Sequence, residues 1–167
     1  MVLTKSELIA ALQNEVRILL HLTTKIDPAS LDYRPTPKQR STLELLKYLS
    51  MMGPTVVRYA LASTPDMSIW KLAADAADAR DYEQTLGAIA AQPEEYERLL
   101  GGLSDDDFRV EVTGFDGRKV SRGAFLVSLV LCGHAAYRTQ LFVYLKACGR
   151  QELSTMNLWG GLDAPAA

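Results

Sequence analysis

The two histidines, His21 and His134, are the residues best suited to chemistry near neutral pH, because imidazole binds metals and transfers protons. A catalytic metal usually has three protein ligands aimed at one point, so two histidines cannot make a three-histidine site within one subunit. We interpret His134 as a histidine at the edge of a buried face, bonded to a neighbour. A role as metal ligand or acid–base group is the alternative. We expect His21 to be exposed or at a subunit contact.

The two cysteines, Cys132 and Cys148, fall on one predicted helix, sixteen positions apart. At ~1.5 Å per residue they are separated by roughly 24 Å, whereas a disulfide needs Cα atoms within about 7 Å. We therefore expect two free thiols, which are typical of a reducing cytoplasm. Cys132 and His134 are two residues apart and point in different directions, so they do not form a nucleophile–base pair.

Four side chains with polar tips fall at positions that helical spacing places inside the protein: Tyr48, Tyr137, Gln140 and Tyr144. On the last predicted helix the inward face centres on Gly133, Tyr137, Gln140 and Tyr144, and His134 is one residue out of phase. Two interpretations stay open. Each tip bonds a backbone group in ordinary packing, or the rings surround a cavity in which Gly133 leaves room for a small molecule.

Four long helices must position these residues. Capping boxes open the first two, at Thr4 to Glu7 and at Ser41 to Glu44. The third is predicted over residues 82–103 with a bend at Pro93, and the fourth over residues 122–147. Apolar residues recur at helical spacing in all four, which favours a helical bundle.

The remaining segments are short. Gly53-Pro54 is expected to kink the second helix without ending it, and Thr64 to Asp66 to break the chain after it. Residues 68–80 form either a short helix or a loose crossover. Alternation around Asp116-Gly117 predicts a hairpin between Phe108 to Val112 and Lys119-Val120. The fold class predicted is all-α, a four-helix bundle with a long crossover connection and a small β-hairpin before the last helix.

Length and composition restrict the function further. We expect a single domain over residues 1–150 and a tail over 151–167, partly packed and disordered at its end. A net charge of -2 without a basic stripe argues against nucleic acid. The longest apolar run, Ala124 to Cys132, is far shorter than the ~20 residues of a membrane span, and Met1 to Glu7 is unlike a signal peptide. We expect a soluble cytoplasmic protein with no membrane partner.

Three stretches, in this order, resemble the DinB/YfiT-like superfamily of four-helix-bundle metalloenzymes: residues 31–35 (LDYRP) leading to 41–49 (STLELLKYL), residues 115–121 (FDGRKVS), and residues 133–141 (GHAAYRTQL) with Leu145 and Gly149. The resemblance covers nearly the whole chain. It implies a divalent metal held by one histidine on the second helix and two on the fourth. It also implies a homodimer, and a relationship to thiol-dependent transferases and isomerases.

Matched residue by residue, the three positions at which the resemblance implies metal-binding histidines fall on Tyr48, Gly133 and Tyr137. None of the three is a histidine. The resemblance therefore implies a divergent member without the metal triad. We predict a metal-free module that binds a small ligand or a partner, with an internal pocket at Tyr48, Gly133 and Tyr137. Gln140, Tyr144 and His134 are candidate lining residues, and we predict no metal and no cofactor.

Three alternatives stay open. The first is a zinc- or nickel-dependent, thiol-dependent transferase or hydrolase-like enzyme with an atypical ligand set, such as His134 with Glu44 or His21 of the partner subunit. The second is a metal-free enzyme in which Tyr48 and Tyr137 act as acid–base groups. The third is a structural dimerisation unit with no ligand.

Overall fold

The computed structural model describes residues 3–62 and 66–164. The first helix, α1 (Lys5–Thr23), begins at the predicted capping box: the Thr4 hydroxyl accepts from the Glu7 backbone N–H, and the Glu7 carboxylate accepts from the Thr4 N–H. Two of the three residues predicted to break the chain at Thr64 to Asp66 lie outside the described part, as does the end of the predicted tail, residues 165–167.

The second helix, α2 (Thr42–Leu61), is capped by Ser41 and Glu44 in the same way. It continues through Pro54, as predicted, although proline supplies no N–H for the helical ladder. Residues 42–57 of α2 include most of its buried positions, so the helix runs through the centre of the bundle.

The helix predicted over residues 82–103 is two helices, α4 (Tyr82–Ala90) and α5 (Gln92–Leu100). Pro93 lies in the first turn of α5, where its missing N–H leaves no helical bond unmade, so it starts a helix instead of bending one. The segment before them forms a helix, α3 (Ser68–Asp78), which packs on α2.

A hairpin precedes the last helix. Strands β1 (Glu111–Thr113) and β2 (Lys119–Ser121) pair antiparallel, with Val112 opposite Val120, and Gly117 in the turn has a φ of +79°. The predicted first strand began three residues too early, since residues 107–109 form a 3-10 turn.

The last helix has three parts: α6 (Arg122–Leu126), a π-helical turn (Val127–Leu131) and α7 (Cys132–Ala147). Ser121 caps its start and Gly149, with a φ of +98°, follows its end. The predicted bounds are confirmed, but apolar spacing gave no sign of the π turn. α7 packs against both α1 and α2, which completes the predicted all-α bundle with its hairpin.

The described part of the tail packs back on the bundle. A single π turn, Met156–Gly160, contacts α1 and α7, and Leu153 and Asn157 are buried. Within the described residues, one helix, Arg122–Ala147, is long and apolar enough to cross a membrane by length and composition. That is weak evidence, because a core helix of a bundle passes the same test, and this helix contacts α1 and α2 along one side.

Candidate ligand-binding site

Two tyrosine rings from neighbouring helices meet at one side of the bundle. The ring centroids of Tyr48 on α2 and Tyr137 on α7 are 4.9 Å apart, and the rings are tilted by 65°. Gly133 is one turn before Tyr137 and faces α2, since a Cβ at this position would lie 3.1 Å from Cε of Met52. The structure therefore brings Tyr48, Gly133 and Tyr137 together on adjoining helix faces.

These residues line a cavity of about 530 Å³ that is open to solvent on one side. We call it the aromatic groove and define it by its walls, Tyr48, Trp70, Phe115 and Tyr137, with Gly133 between them. Trp70 comes from α3, with its ring centroid 6.1 Å from that of Tyr48, and Phe115 comes from the hairpin turn, 6.4 Å from Trp70. Four separate elements thus contribute to one largely apolar surface.

The hydroxyl of Tyr48 is the most strongly perturbed polar group of the groove. Burial raises the pKa of Tyr48, and the adjacent Tyr137 hydroxyl raises it further, whereas the Arg40 guanidinium above the ring acts in the opposite direction. Tyr48 is therefore a neutral phenol near pH 7, able to donate one hydrogen bond but poor as a base or a metal ligand.

Two predicted lining residues, Gln140 and Tyr144, do not line the groove. The Tyr144 ring is buried, its hydroxyl donates to the Arg40 carbonyl at 3.1 Å, and the Gln140 amide donates to that hydroxyl at 2.5 Å. Here the ordinary-packing interpretation is correct, because each polar tip has a partner.

One solved structure has the same arrangement of helices. The crystal structure of a DinB-like protein, YjoA, from Bacillus subtilis aligns with a TM-score of 0.69 and 20% identity, covering 88% of this chain and 94% of that one. The chain has a DinB-like fold. No family model matches the sequence, and no curated protein matches it. At this identity the likeness establishes the fold alone.

Within the DinB-like fold, His134 does not face the aromatic groove. It is 1% exposed, and its Nε2 lies 2.7 Å from the hydroxyl of Tyr96 on α5. Gly53 of α2 makes room for this pair: a Cβ there would be 1.9 Å from the Tyr96 oxygen. Among the described residues, His134 Nδ1 has no hydrogen-bond partner. The prediction that His134 bonds a neighbour is confirmed, but its placement at the edge of the buried face and in the pocket lining is wrong.

That error arises because the predicted inward face of the last helix is rotated relative to the observed one. The buried residues of α7 are His134, Arg138, Leu141, Tyr144 and Leu145, so the inward face is one position later than predicted at its start. Arg138 was not recognised as interior because it is charged. Its guanidinium is bidentate to Glu15 of α1, at 2.7 and 3.1 Å, and it also donates to the Leu158 carbonyl. The missed signal was a histidine and an arginine one turn apart, each with a partner on another helix.

Burial and charge together set the protonation of His134. Burial lowers its pKa, and the Arg138 guanidinium one turn away lowers it further, to about 4. The imidazole is therefore neutral at pH 7, and one of its nitrogens bonds the Tyr96 hydroxyl.

His21 also has a structural role that sequence reasoning missed. Its Nε2 lies 3.1 Å from the Asn157 amide and 3.7 Å from the Asp163 carboxylate, both in the tail. Burial lowers the pKa of His21, with a further contribution from Lys25. His21 is half-buried beneath the chain's own tail, so the expectation of an exposed side chain is wrong, and the alternative of a subunit contact stays a prediction.

The ligand set implied by the family does not fit this chain. The three positions matched by the resemblance hold two tyrosines and a glycine, and the described residues contain no group of three histidine, cysteine or acidic side chains that could hold a metal. The atypical set of His134 with Glu44 is not assembled either. His134 lies beside Gly53, nine residues along α2 from Glu44, or ~14 Å along the axis.

The two cysteines are free, and they differ in position. Cys132 is exposed and lines the aromatic groove, where His134 cannot serve as its base because the imidazole faces Tyr96. Cys148 is half-buried after the end of α7, and burial raises the pKa of its thiol.

Proposed function

We propose that this protein with a DinB-like fold binds a small apolar molecule in the aromatic groove, without a metal. One observation carries the proposal: aromatic side chains from α2, α3, α7 and the hairpin surround a single open cavity. Tyr48, Gly133 and Tyr137, the positions at which the family resemblance implies histidines, are among its lining residues.

The size and chemistry of the cavity favour a small molecule. Ligand pockets generally have volumes of about 300–1,000 Å³, are mostly apolar and contain a few polar groups that orient the ligand. The groove, at about 530 Å³, lies within that range. Its polar groups include the hydroxyls of Tyr48, Tyr137 and Ser128 and the thiol of Cys132. An apolar ligand would replace the contacts that these ring faces lack, which gives binding a favourable dispersion and desolvation energy.

The same side chains argue against the two enzyme alternatives. A general base near pH 7 needs a pKa near that pH, and burial moves the pKa of Tyr48 away from it. A metal-dependent transferase needs convergent ligands, and Tyr48, Gly133 and Tyr137 do not offer them.

The proposal is tested with N-phenyl-1-naphthylamine, an uncharged aromatic probe whose fluorescence rises in apolar sites. We expect saturable binding by the natural protein, weakened at least about tenfold by Gly133→Leu, because the added side chain occupies the space beside Met52. Leucine has a higher helix propensity than glycine, so α7 should be preserved.

Gly87→Leu is the matched control. Gly87 is exposed on α4, and a Cβ there would meet nothing within 4 Å. It should leave probe binding unchanged. Equal affinity in Gly133→Leu and the natural protein, or no saturable binding by the natural protein, would show that the groove is not a ligand site.

The homodimer implied by the family resemblance stays a prediction. Sedimentation equilibrium of the natural protein measures it directly, and a monomer at micromolar concentration would contradict it.

A further inference from the structure

A second cavity adjoins the aromatic groove on the other side of Tyr48 and Trp70. It measures about 500 Å³, and we call it the polar pocket, defined by Arg40, Glu44, Lys47 and Asp78 with the shared Tyr48 and Trp70. Because both cavities include these two rings, the charged groups of the polar pocket lie next to a molecule in the groove.

Arg40 is a cation in direct contact with the groove wall. Its guanidinium carbon lies 4.1 Å from the centroid of the Tyr48 ring, within the distance of a cation–π interaction. Its backbone is fixed as well, since the Arg40 carbonyl accepts from the buried Tyr144 hydroxyl. The cation is thus held over one face of the ring that also forms the groove.

Two other charged side chains of the polar pocket, Glu44 and Lys47, are already engaged. Glu44 accepts from the Ser41 N–H at 2.7 Å and from Arg34 at 3.0 Å. Lys47 donates to the Asp78 carbonyl at 2.7 Å. By contrast, the Arg40 guanidinium makes no hydrogen bond or ion pair to any residue that the structure describes. Its N–H groups are available to a ligand.

We propose that the ligand of the groove is amphipathic, with an apolar body between the aromatic walls and a carboxylate bonded to Arg40. This inference rests on the proposed function. The planar guanidinium matches a carboxylate in a two-bond arrangement, and the ring beneath it keeps the guanidinium in place. An acid with an unbranched or aromatic apolar portion fits both cavities.

The test compares displacement of N-phenyl-1-naphthylamine by decanoate and by decanamide at pH 7.5 and low salt. The two competitors share a chain length and differ in charge. We expect decanoate to displace the probe about fivefold more tightly, the range of a solvent-exposed ion pair, and the preference to shrink as salt is added. Arg40→Gln should abolish the preference for decanoate over decanamide.

Lys38→Gln is the matched control, because it removes the same charge from the same connection at an exposed side chain that does not line the polar pocket. It should retain the preference for decanoate. Equal displacement by both competitors in the natural protein, or an unchanged preference in Arg40→Gln, would overturn the anion site while leaving the apolar groove intact. Failure of the probe itself to bind would overturn the proposed function and this inference together.

Discussion

The inner and outer faces of α7 each carry two residues that are one turn apart. The two faces differ in what covers these residues. On the inner face, His134 and Arg138 are buried and bonded to Tyr96 and Glu15 from other helices. On the outer face, Gly133 and Tyr137 border an open groove. The residues with the more reactive side chains therefore stabilise the bundle, and the less reactive ones surround the cavity.

This contrast shows that residue type alone does not locate a site. Histidine and arginine are the side chains that attract attention in a sequence, yet here both are held by partners in the interior. The contrast predicts that changes on the inner face alter stability and that changes on the outer face alter binding.

Replacing Arg138 by Met should lower the free energy of unfolding by about 3–5 kcal/mol, because Glu15 is left as an uncompensated, largely buried carboxylate. Urea denaturation followed by circular dichroism at pH 7 measures the loss. The double variant Glu15→Met with Arg138→Met should be more stable than the single variant. A single variant within 1 kcal/mol of the natural protein would contradict a structural role for the pair.

Replacing Gly53 by Ala should lower the free energy of unfolding by about 2–3 kcal/mol, because the new methyl group would overlap the Tyr96 hydroxyl and displace it from His134. Gly87→Ala is the comparison, and it should raise the free energy of unfolding. With no atom within 4 Å of the added Cβ, it should stabilise by about 0.5–1 kcal/mol through helix propensity. Equal effects in the two variants would mean that the space at Gly53 is not needed.

Acidification should destabilise the protein through His134. Its folded pKa of about 4 lies below the ordinary value of 6.5, so the unfolded state binds a proton first as pH falls. The contribution to stability is complete above pH 6.5 and is lost as pH falls from 6.5 towards 4. Between pH 6.5 and 5 the loss should be about 1–2 kcal/mol.

His21 also has a lowered pKa and contributes in the same direction, so the measurement needs a variant. Comparing urea denaturation of the natural protein and of His134→Gln at several pH values isolates the contribution of His134. The variant should have a flatter dependence between pH 6.5 and 5. Parallel curves would assign the pH dependence to other groups.

The helix boundaries were the most predictable part of the fold. Thr4 and Ser41 act through bonds to residues three positions later, so their capping boxes fixed the starts of α1 and α2. The Asp116-Gly117 turn is local in the same sense. Pro93 was recognised as a disruption but interpreted as a bend, because sequence does not say whether the chain before a proline is helical or ends there.

The groove was predictable in part. Spacing and family resemblance brought Tyr48, Gly133 and Tyr137 to one place, whereas Trp70 and Phe115 were missed. These two rings lie on the crossover helix and the hairpin turn, whose positions over α2 depend on tertiary packing. The phase of α7 was predicted one position too early, on Gly133 and Tyr137, because the partners that bury His134 and Arg138, which are Tyr96 and Glu15, are distant in sequence.

The π turn of the last helix, Val127–Leu131, has a consequence for how the gene can change. Such a turn contains one residue more than an α-helical turn. Removing one codon there should convert the turn to regular helix and leave Gly133 and Tyr137 on the groove face, because the wider turn absorbs the extra residue locally. The same deletion between Gly133 and Tyr137, in regular helix, would rotate Tyr137 and every later residue by ~100° relative to Gly133. The π turn is thus a position in the last helix at which the gene can lose a codon without rotating α7 away from the groove.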